Sequence, residues 1–140
     1  METSFYMIKP HGLVFHDKVK KMIENGGLSI PETKKLIMPH WALEIVYSDL
    51  PERYRNAVFK PYVNAYVETG LVVGRDAINT LLQITGTELS PTDCAPESIR
   101  FKLGTPEPLM IDGVRYYKNV IHRSRNSAEA KKDIEVFRML

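Results

Sequence analysis

The sequence predicts an α+β protein from three observations. β-branched and aromatic runs of strand length are separated by segments whose apolar residues recur at helical spacing. The predicted order is β-α-β-α-α-β-α followed by a short strand and a last helix, an order that agrees with the α+β class. The 140 residues, of which 44% are hydrophobic and 26% charged, suffice for one core and are ordinary for a globular protein. We therefore expect residues 1–140 to form a single domain.

Composition and charge argue against several classes of protein. The formal net charge of +2 is too small to indicate a specific nucleic-acid partner or a membrane surface. No run approaches the roughly 18 apolar residues of a membrane span, and the first residues lack the basic and apolar regions of a secretory signal. Cys94 is the only cysteine, which excludes an intrachain disulfide and a thiolate zinc cluster and fits a reducing cytoplasm.

The first strand is predicted over residues 4–8 and ends where Pro10 and Gly12 stop the ladder and begin a loop. Lys9 therefore lies at a strand end, which is a natural position for a site residue. An amphipathic surface lysine is an equally good interpretation from the residues alone. The apolar spacing then predicts a helix over residues 13–25, which ends at a pair of glycines.

The middle of the chain predicts one strand and three helical pieces. The strand spans residues 33–38, one helix begins at Pro39-His40, and another begins after Pro51. Residues 59–67 are interpreted as a further helix with a proline in its first turn. Tyr54 and Phe59 are candidates for the wall of a groove, although packing between helices explains them slightly better.

The second half contains a short strand at residues 71–73 and a helix over residues 77–84 that Asp76 is expected to cap. Residues 87–97 form the longest stretch without predicted structure, and such loops are usually functional. Within residues 109–117 an Asp-Gly pair lies between two apolar runs, which predicts a two-residue β-hairpin. We expect this hairpin to lie beside a site.

His122 follows a brief β-branched run and precedes a polar turn and an amphipathic helix, with Asn126 or Ser127 as the predicted N-cap. A lone histidine after an apolar run is more often a packing residue. Asn119 just before the run, and Asp133 on the helix, favour a site instead. A carboxylate on one ring nitrogen fixes the tautomer and leaves the other nitrogen free as a nucleophile.

Three segments resemble nucleoside diphosphate kinases. Asn119-Val120-Ile121-His122 with Ser124 is similar to the family signature, residues 5–12 (Phe-Tyr-Met-Ile-Lys-Pro-His-Gly) to its opening, and residues 91–100 to its proline-rich loop. The resemblance implies a ferredoxin-like α/β sandwich, with a four-stranded antiparallel sheet and helices covering one face. It also implies a homo-oligomer.

The resemblance further implies ping-pong transfer of the γ-phosphoryl group of a nucleoside triphosphate to a nucleoside diphosphate, with Mg²⁺ bridging the phosphates. In this scheme His122 carries the phosphate and Asp133, usually glutamate in the family, orients the ring. The other implied residues are Lys9 and Arg100 on the phosphates, Asn119 on the sugar 3′-hydroxyl, Phe59 on the base, and Thr87 or Ser90 as a hydroxyl in the loop.

The chain also departs from the family pattern. Leu82 stands where the family has a phosphate-binding arginine, and His11 stands where it has aspartate. The family's His-Gly-Ser-Asp becomes His122-Arg123-Ser124-Arg125, and we hypothesise that one of these arginines replaces the missing cation. The alternative is a weakly active or inactive relative that binds nucleotide or a partner protein. An RNA-binding module has little support, because no aromatic and basic strand motif is present.

Overall fold

The computed structural model describes all 140 residues. The strands are β1 Glu2–Ile8, β2 Ser29–Ile37, β3 Tyr66–Gly74, β4 Leu109–Ile111, β5 Val114–Tyr116 and β6 Ile121–Arg123. The α-helices are α1 His16–Asn25, α2 His40–Val46, α3 Glu52–Phe59, α4 Ala77–Thr85, α5 Ile99–Leu103 and α6 Ser127–Met139. Short 3₁₀ turns span Pro10–Phe15, Lys60–Tyr62 and Pro91–Asp93.

Four strands form one antiparallel sheet in the order β2-β3-β1-β6. This is the ferredoxin-like order, and the predicted fold class is confirmed. The first and last strands of the sequence lie side by side, with Ile8 opposite Ile121 and Met7 opposite His122. The pairing therefore brings the end of β1, and Lys9 after it, next to the strand that carries His122.

Helices cover both faces of the sheet, so the expectation that they cover one face is wrong. Successive side chains of a strand point to opposite faces, and β1 shows this clearly. Phe5 and Met7 belong to a core with residues of α2 and α6, whereas Tyr6 and Ile8 belong to a core with residues of α1 and α4. No helix in the structure combines the length and the apolarity that crossing a membrane requires.

The helix predicted over residues 59–67 is wrong. α3 ends at Phe59, and the chain continues as the 3₁₀ turn Lys60–Tyr62. Asn64 then adopts a positive φ of 53°, and β3 begins at Tyr66. β3 is thus much longer than the predicted strand 71–73. Gly70 lies inside β3. A residue with a Cβ would not fit there, because the ring of Tyr6 lies 2.5 Å from the ideal Cβ position. This glycine marks a close approach between strands and not the end of a helix.

Two predicted boundaries also change. β2 begins at Ser29 and not at residue 33, since an edge strand with a register shift between Ser29 and Glu32 tolerates the proline between them. Asp76 has φ 49° and its side chain does not cap α4. The carboxylate of Glu2 takes that role by accepting the main-chain N–H of Ile78 at 2.8 Å.

The predicted hairpin is present as β4 and β5. Asp112 and Gly113 connect the strands with φ values of 50° and 75°, which is the backbone that a two-residue hairpin requires. Lys60 forms a 2.5 Å ion pair with Asp112, which ties the tip of the hairpin to the chain just after α3. The hairpin and α3 therefore form two facing sides of a cleft.

Candidate active site

A cavity of about 190 Å³ opens where β6, the end of β1, the hairpin and α3 meet. Five cationic side chains and two carboxylates line it, and His122 lies among them. The cations are Lys9, Arg100, Arg115, Arg123 and Arg125, and the carboxylates are Asp49 and Glu129. This excess of positive charge indicates a site for an anionic ligand.

His122 lies in the middle of β6 with 14% of its side chain exposed. Its Nε2 lies 3.4 Å from Oδ2 of the fully buried Asp133, and the same oxygen accepts a 2.8 Å hydrogen bond from Ser124. No group of the chain bonds to Nδ1. Burial lowers the pKa of His122, although Asp133 opposes that shift, so the ring is neutral at pH 7. With the proton on Nε2 beside the carboxylate, Nδ1 keeps a free lone pair.

Two aromatic residues hold the imidazole by its edges. Tyr47 and Phe5 pack against it in edge-to-face geometry, with ring centroids 5.3 and 6.2 Å away. The hydroxyl of Tyr47 lies 2.6 Å from that of Tyr62, and burial raises the pKa of Tyr47 to about 12. Tyr47 is therefore neutral and anchored. The ring of His122 is positioned by rigid packing as well as by the carboxylate.

Lys9 and Asn119 form a buried pair at the base of the cleft. Nζ of Lys9 donates a 2.7 Å hydrogen bond to Oδ1 of Asn119, whose Nδ2 donates to the carbonyl of Leu89. Lys9 is 7% exposed and has no carboxylate partner. Burial, with Arg100 and Arg123 nearby, lowers the pKa of Lys9 well below its ordinary value. The ammonium group is thus poorly compensated within the chain.

Arg100 and Arg123 are also buried cations, 3% and 4% exposed. Arg100 donates to the carbonyls of Glu88 and Ile121 at 2.7 and 2.8 Å, and Arg123 donates to the carbonyl of Gly86 at 2.8 Å. Neither forms a salt bridge, and the Nε atom of each is buried without an acceptor. Burial lowers the pKa of Arg100 to about 10 and that of Arg123 to about 9. Both remain charged at pH 7.

Arg125 is paired, in contrast. It bonds to Asp49, which lies between α2 and α3, and to Glu129 at 2.7 Å. Glu129 also accepts the main-chain N–H of Arg125, while Asn126 caps α6 by accepting the N–H of Glu129. Asn126 is thus the N-cap of α6. The ion pair joins two sides of the cleft at its mouth.

Val120 has a strained backbone immediately before β6. Its φ is 76°, and the N–H of Ile121 bonds across it to the carbonyl of Asn119, which is a rare γ-turn for a β-branched residue. The N–H of Val120 donates to Nε2 of His11, and its carbonyl accepts the N–H of Lys9. Burial, then Lys9 and Lys118, lowers the pKa of His11 to about 4. A neutral His11 therefore stabilises the turn that positions Asn119 and His122 at the cavity.

The structure brings together five of the seven candidate residues. His122, Lys9, Arg100 and Asn119 line the cavity, and Asp133 contacts His122 from behind. Phe59 does not line the cavity, because it packs on His40 and Tyr47.

Thr87 is exposed and outside the cavity as well. Tyr54 and Val58 line the α3 side of the cleft. Of the two aromatic residues considered for a groove wall, Tyr54 is the one beside the cavity.

Sequence reasoning missed several residues of the site. Tyr47 carries no local signal, since it lies at the end of an apolar helix and reaches His122 only through the fold. Val114, Tyr116 and Tyr117 line the hairpin side of the cavity, and the Asp-Gly signal indicated the hairpin without its contacts. Ser124 stands in the quoted signature, but its bond to Asp133 depends on the position of α6.

Comparisons with known proteins agree on one family. A sequence model of the family described as nucleoside diphosphate kinase matches residues 2–138. A comparison with curated protein sequences finds no match.

Solved structures provide the second comparison. A nucleoside diphosphate kinase from Encephalitozoon cuniculi, without ligand, is 26% identical, with a TM-score of 0.81 over 98% of this chain and 88% of its own. The enzyme from Borrelia burgdorferi, solved as a transition-state mimic with vanadate and ADP, is 24% identical, with a TM-score of 0.84 over 97% and 86%. The enzyme from Aquifex aeolicus is 23% identical, with a TM-score of 0.80 over 97% and 94%. With a family model that spans almost the whole sequence, this chain belongs to the nucleoside diphosphate kinase family.

Proposed function

We propose that this protein transfers the γ-phosphoryl group of a nucleoside triphosphate to a nucleoside diphosphate through a phosphate carried on His122, with residues 1–140 acting as one domain. The observation that carries the proposal is the state of the imidazole. Nε2 faces Asp133 at 3.4 Å, Nδ1 is free of bonds, and the ring lines a cationic cavity. A neutral, braced imidazole at such a position is a competent nucleophile.

The first half-reaction forms a bond between Nδ1 and the γ-phosphorus. The bond from that phosphorus to the oxygen bridging to the β-phosphate breaks, and the nucleoside diphosphate leaves with the electron pair. The proton stays on Nε2, so positive charge develops on the ring. Asp133 stabilises that charge, and Ser124 holds the carboxylate in place.

The second half-reaction reverses the first with another nucleotide. A terminal β-phosphate oxygen of the acceptor attacks the phosphorus, and the electron pair of the P–N bond returns to Nδ1. Lys9 and Arg100 neutralise the charge spread over the transferred oxygens, which is the main requirement of phosphoryl transfer. Asn119 would bond the sugar 3′-hydroxyl in addition to its bond with Lys9.

For the nucleobase, the cleft offers Tyr54 and Val58 on α3 and Val114 and Tyr117 on the opposite side. Phe59 and Thr87 stay predictions. A contact between Phe59 and the base would require the ring to leave His40 and Tyr47. Thr87 lies outside the cavity, two residues before Leu89, which lines it.

Mg²⁺ would enter with the nucleotide. No three metal-ligating side chains lie together in this chain, and the two carboxylates of the cavity are engaged by Arg125. The ion would therefore be held by phosphate oxygens and water, the ligands that Mg²⁺ commonly keeps in phosphotransferases. It would neutralise phosphate charge together with Lys9 and Arg100.

A homo-oligomer is supported by the open edge of β2. This strand ends the sheet, and Ile37 on it lies opposite Tyr66 with both side chains exposed. An apolar pair beside an unpaired edge favours association with a second copy. Sedimentation of wild type and of Ile37→Lys tests this, with a smaller species expected for the variant.

A cytoplasmic location agrees with the unpaired Cys94.

The direct test is labelling with γ-³²P ATP. We expect a label that is lost in acid and retained in base, as phosphohistidine requires, and that His122→Gln does not acquire. Addition of GDP to the labelled protein should move the label to GTP. An unlabelled wild-type protein would contradict the proposal.

The alternative of a weak or inactive relative has its own support. The 3.4 Å contact of His122 with Asp133 is longer than an ordinary hydrogen bond. Lys9 and Arg100 already bond to groups of the chain. A protein that binds ADP but takes no label, or that keeps its label in the presence of GDP, would favour this alternative.

A further inference from the structure

Three buried cations meet at the cleft, and none has a carboxylate partner. They are Lys9, Arg100 and Arg123. A buried charge without a counter-ion is costly, so proteins normally pair such groups. The proposed function engages Lys9 and Arg100 with phosphate and leaves Arg123 without a role.

Arg123 has N–H donors that no group of the chain accepts. Its Nη2 donates to the carbonyl of Gly86, its Nη1 has no acceptor in the chain, and its Nε is buried and unpartnered. The residue also lines the cavity. A guanidinium has five N–H donors, and its planar fork suits a phosphate group.

Arg125, in the same segment, has carboxylate partners for its guanidinium group and serves as a comparison. It bonds to Asp49 and Glu129, and 55% of its side chain is exposed. Its charge is therefore balanced by two carboxylates before any ligand arrives. Of the two arginines that follow His122, only Arg123 has a charge that remains unbalanced.

The place that Arg123 reaches is also informative. Gly86 ends α4, and its N–H bonds to the carbonyl of Leu82, one turn earlier. The guanidinium of Arg123 thus lies at the end of the helix on which the family pattern has its arginine. Burial, then Arg100 and Arg125, lowers the pKa of Arg123, as expected for a cation that an anion would stabilise.

We propose that Arg123 binds the phosphate groups of the nucleotide, supplying from β6 the cation that this chain lacks at Leu82 on α4. The inference rests on the proposed function for the identity of the ligand. It adds a residue at which the family pattern has glycine. Arg123 would act together with Lys9 and Arg100 on the phosphate oxygens.

The experiment compares Arg123→Gln and Arg123→Lys with wild type and with Arg75→Gln, a control at an exposed arginine outside the cavity. Binding of ADP and, by competition, of adenosine is measured by calorimetry, and circular dichroism verifies the fold. We expect Arg123→Gln to weaken ADP binding by about 10- to 100-fold, the range for one lost charge-assisted contact. Adenosine binding should stay unchanged, and Arg75→Gln should bind both like wild type.

Arg123→Lys keeps the charge but not the fork, so a smaller loss confined to ADP is expected. If Arg123→Gln does not fold, this variant carries the test. Wild-type affinity for ADP in the folded variants would overturn the inference, and so would an equal loss for ADP and adenosine.

The labelling of His122 separates this result from the proposed function. If the wild type is labelled and active but the Arg123 variants bind ADP as tightly as it does, only the present inference is overturned. An unlabelled wild type whose ADP affinity depends on Arg123 would overturn the phosphotransfer and support the phosphate contact.

Discussion

Oδ2 of Asp133 lies 3.4 Å from Nε2 of His122, on the far side of the ring from the free Nδ1. The carboxylate is fully buried, and it lies on α6 while the histidine lies on β6. The family usually has the longer glutamate at this position. Aspartate is one methylene shorter, and Ser124 fixes the oxygen that faces the ring by donating to it at 2.8 Å.

Asp133→Asn should slow phosphorylation of His122 by about 100-fold or more, because the amide neither stabilises the charged ring nor fixes its tautomer. Rapid-quench measurement of the first half-reaction reports this rate directly. Asp133→Glu serves as the control, since it keeps the carboxylate and should stay within about tenfold of wild type. Equal rates for wild type and Asp133→Asn would show that the carboxylate does not act on the ring.

His11→Ala should destabilise the protein and reduce its activity together. The variant leaves the buried N–H of Val120 without an acceptor, which costs about 1–3 kcal/mol, and it frees the turn before His122. Urea unfolding and steady-state kinetics measure the two effects. His11→Gln presents an oxygen to the same N–H and should recover most of both. A loss of stability without any change in rate would argue against a positioning role.

The protein should lose stability as the pH falls from 6.5 towards 4. In this range His11 takes up a proton when unfolded but stays neutral when folded, because its folded pKa is about 4 against an ordinary 6.5. The lowered pKa of His122 acts in the same direction. Each histidine lowers the free energy of unfolding by up to about 1.4 kcal/mol per pH unit.

Urea unfolding of wild type and His11→Gln between pH 7 and 5 measures this effect, largely above the range in which carboxylates titrate. The variant should show the shallower slope. Parallel slopes would mean that His11 does not contribute to the acid sensitivity.

Polyphosphate anions should raise the melting temperature more than their ionic strength alone explains. Lys9, Arg100 and Arg123 are buried without counter-ions, so an anion that enters the cleft relieves their repulsion. A ligand at 100 times its Kd adds about 2.7 kcal/mol of stability. Thermal unfolding in pyrophosphate, compared with sodium chloride of equal ionic strength, provides the measurement. Identical shifts in the two salts would show that the cations do not form an anion site.

The sequence predicted well those features that depend on the end of a local pattern. Lys9 lies directly after β1, as the apolar run before it predicted, and the Asp-Gly turn located the hairpin. His122 was expected where its apolar run ends, but it lies in the middle of β6, because Val120 forms a γ-turn and the strand begins only at Ile121. The pairing of β1 with β6 connects residues more than 110 positions apart, and nothing local encodes it. The family resemblance supplied that information.

Other features were beyond local reasoning for definite physical reasons. Residues 59–67 were predicted as a helix, but pairing with β1 and β2 makes residues 66–74 a strand, in which Gly70 packs against the ring of Tyr6. Tyr47 reaches His122 only because α2 packs on the same sheet face as Phe5. The distinction between Arg123 and Arg125 depends on carboxylates contributed by Asp49 and Glu129, one of which is more than 70 residues away.

The γ-turn at Val120 has a consequence for how the protein can change over time. The positive φ of Val120 costs folding free energy, and such a conformation persists only where the surrounding structure determines it. Here the loop after β1 does so, because Lys9 and His11 hydrogen-bond to the main chain of Val120. Substitutions that relieve the strain at Val120 without removing its hydrogen bond to His11 would make the molecule more heat-resistant and would turn Asn119 and His122 away from the cleft. Selection for catalytic speed therefore favours the strained turn, whereas selection for stability favours a relaxed one.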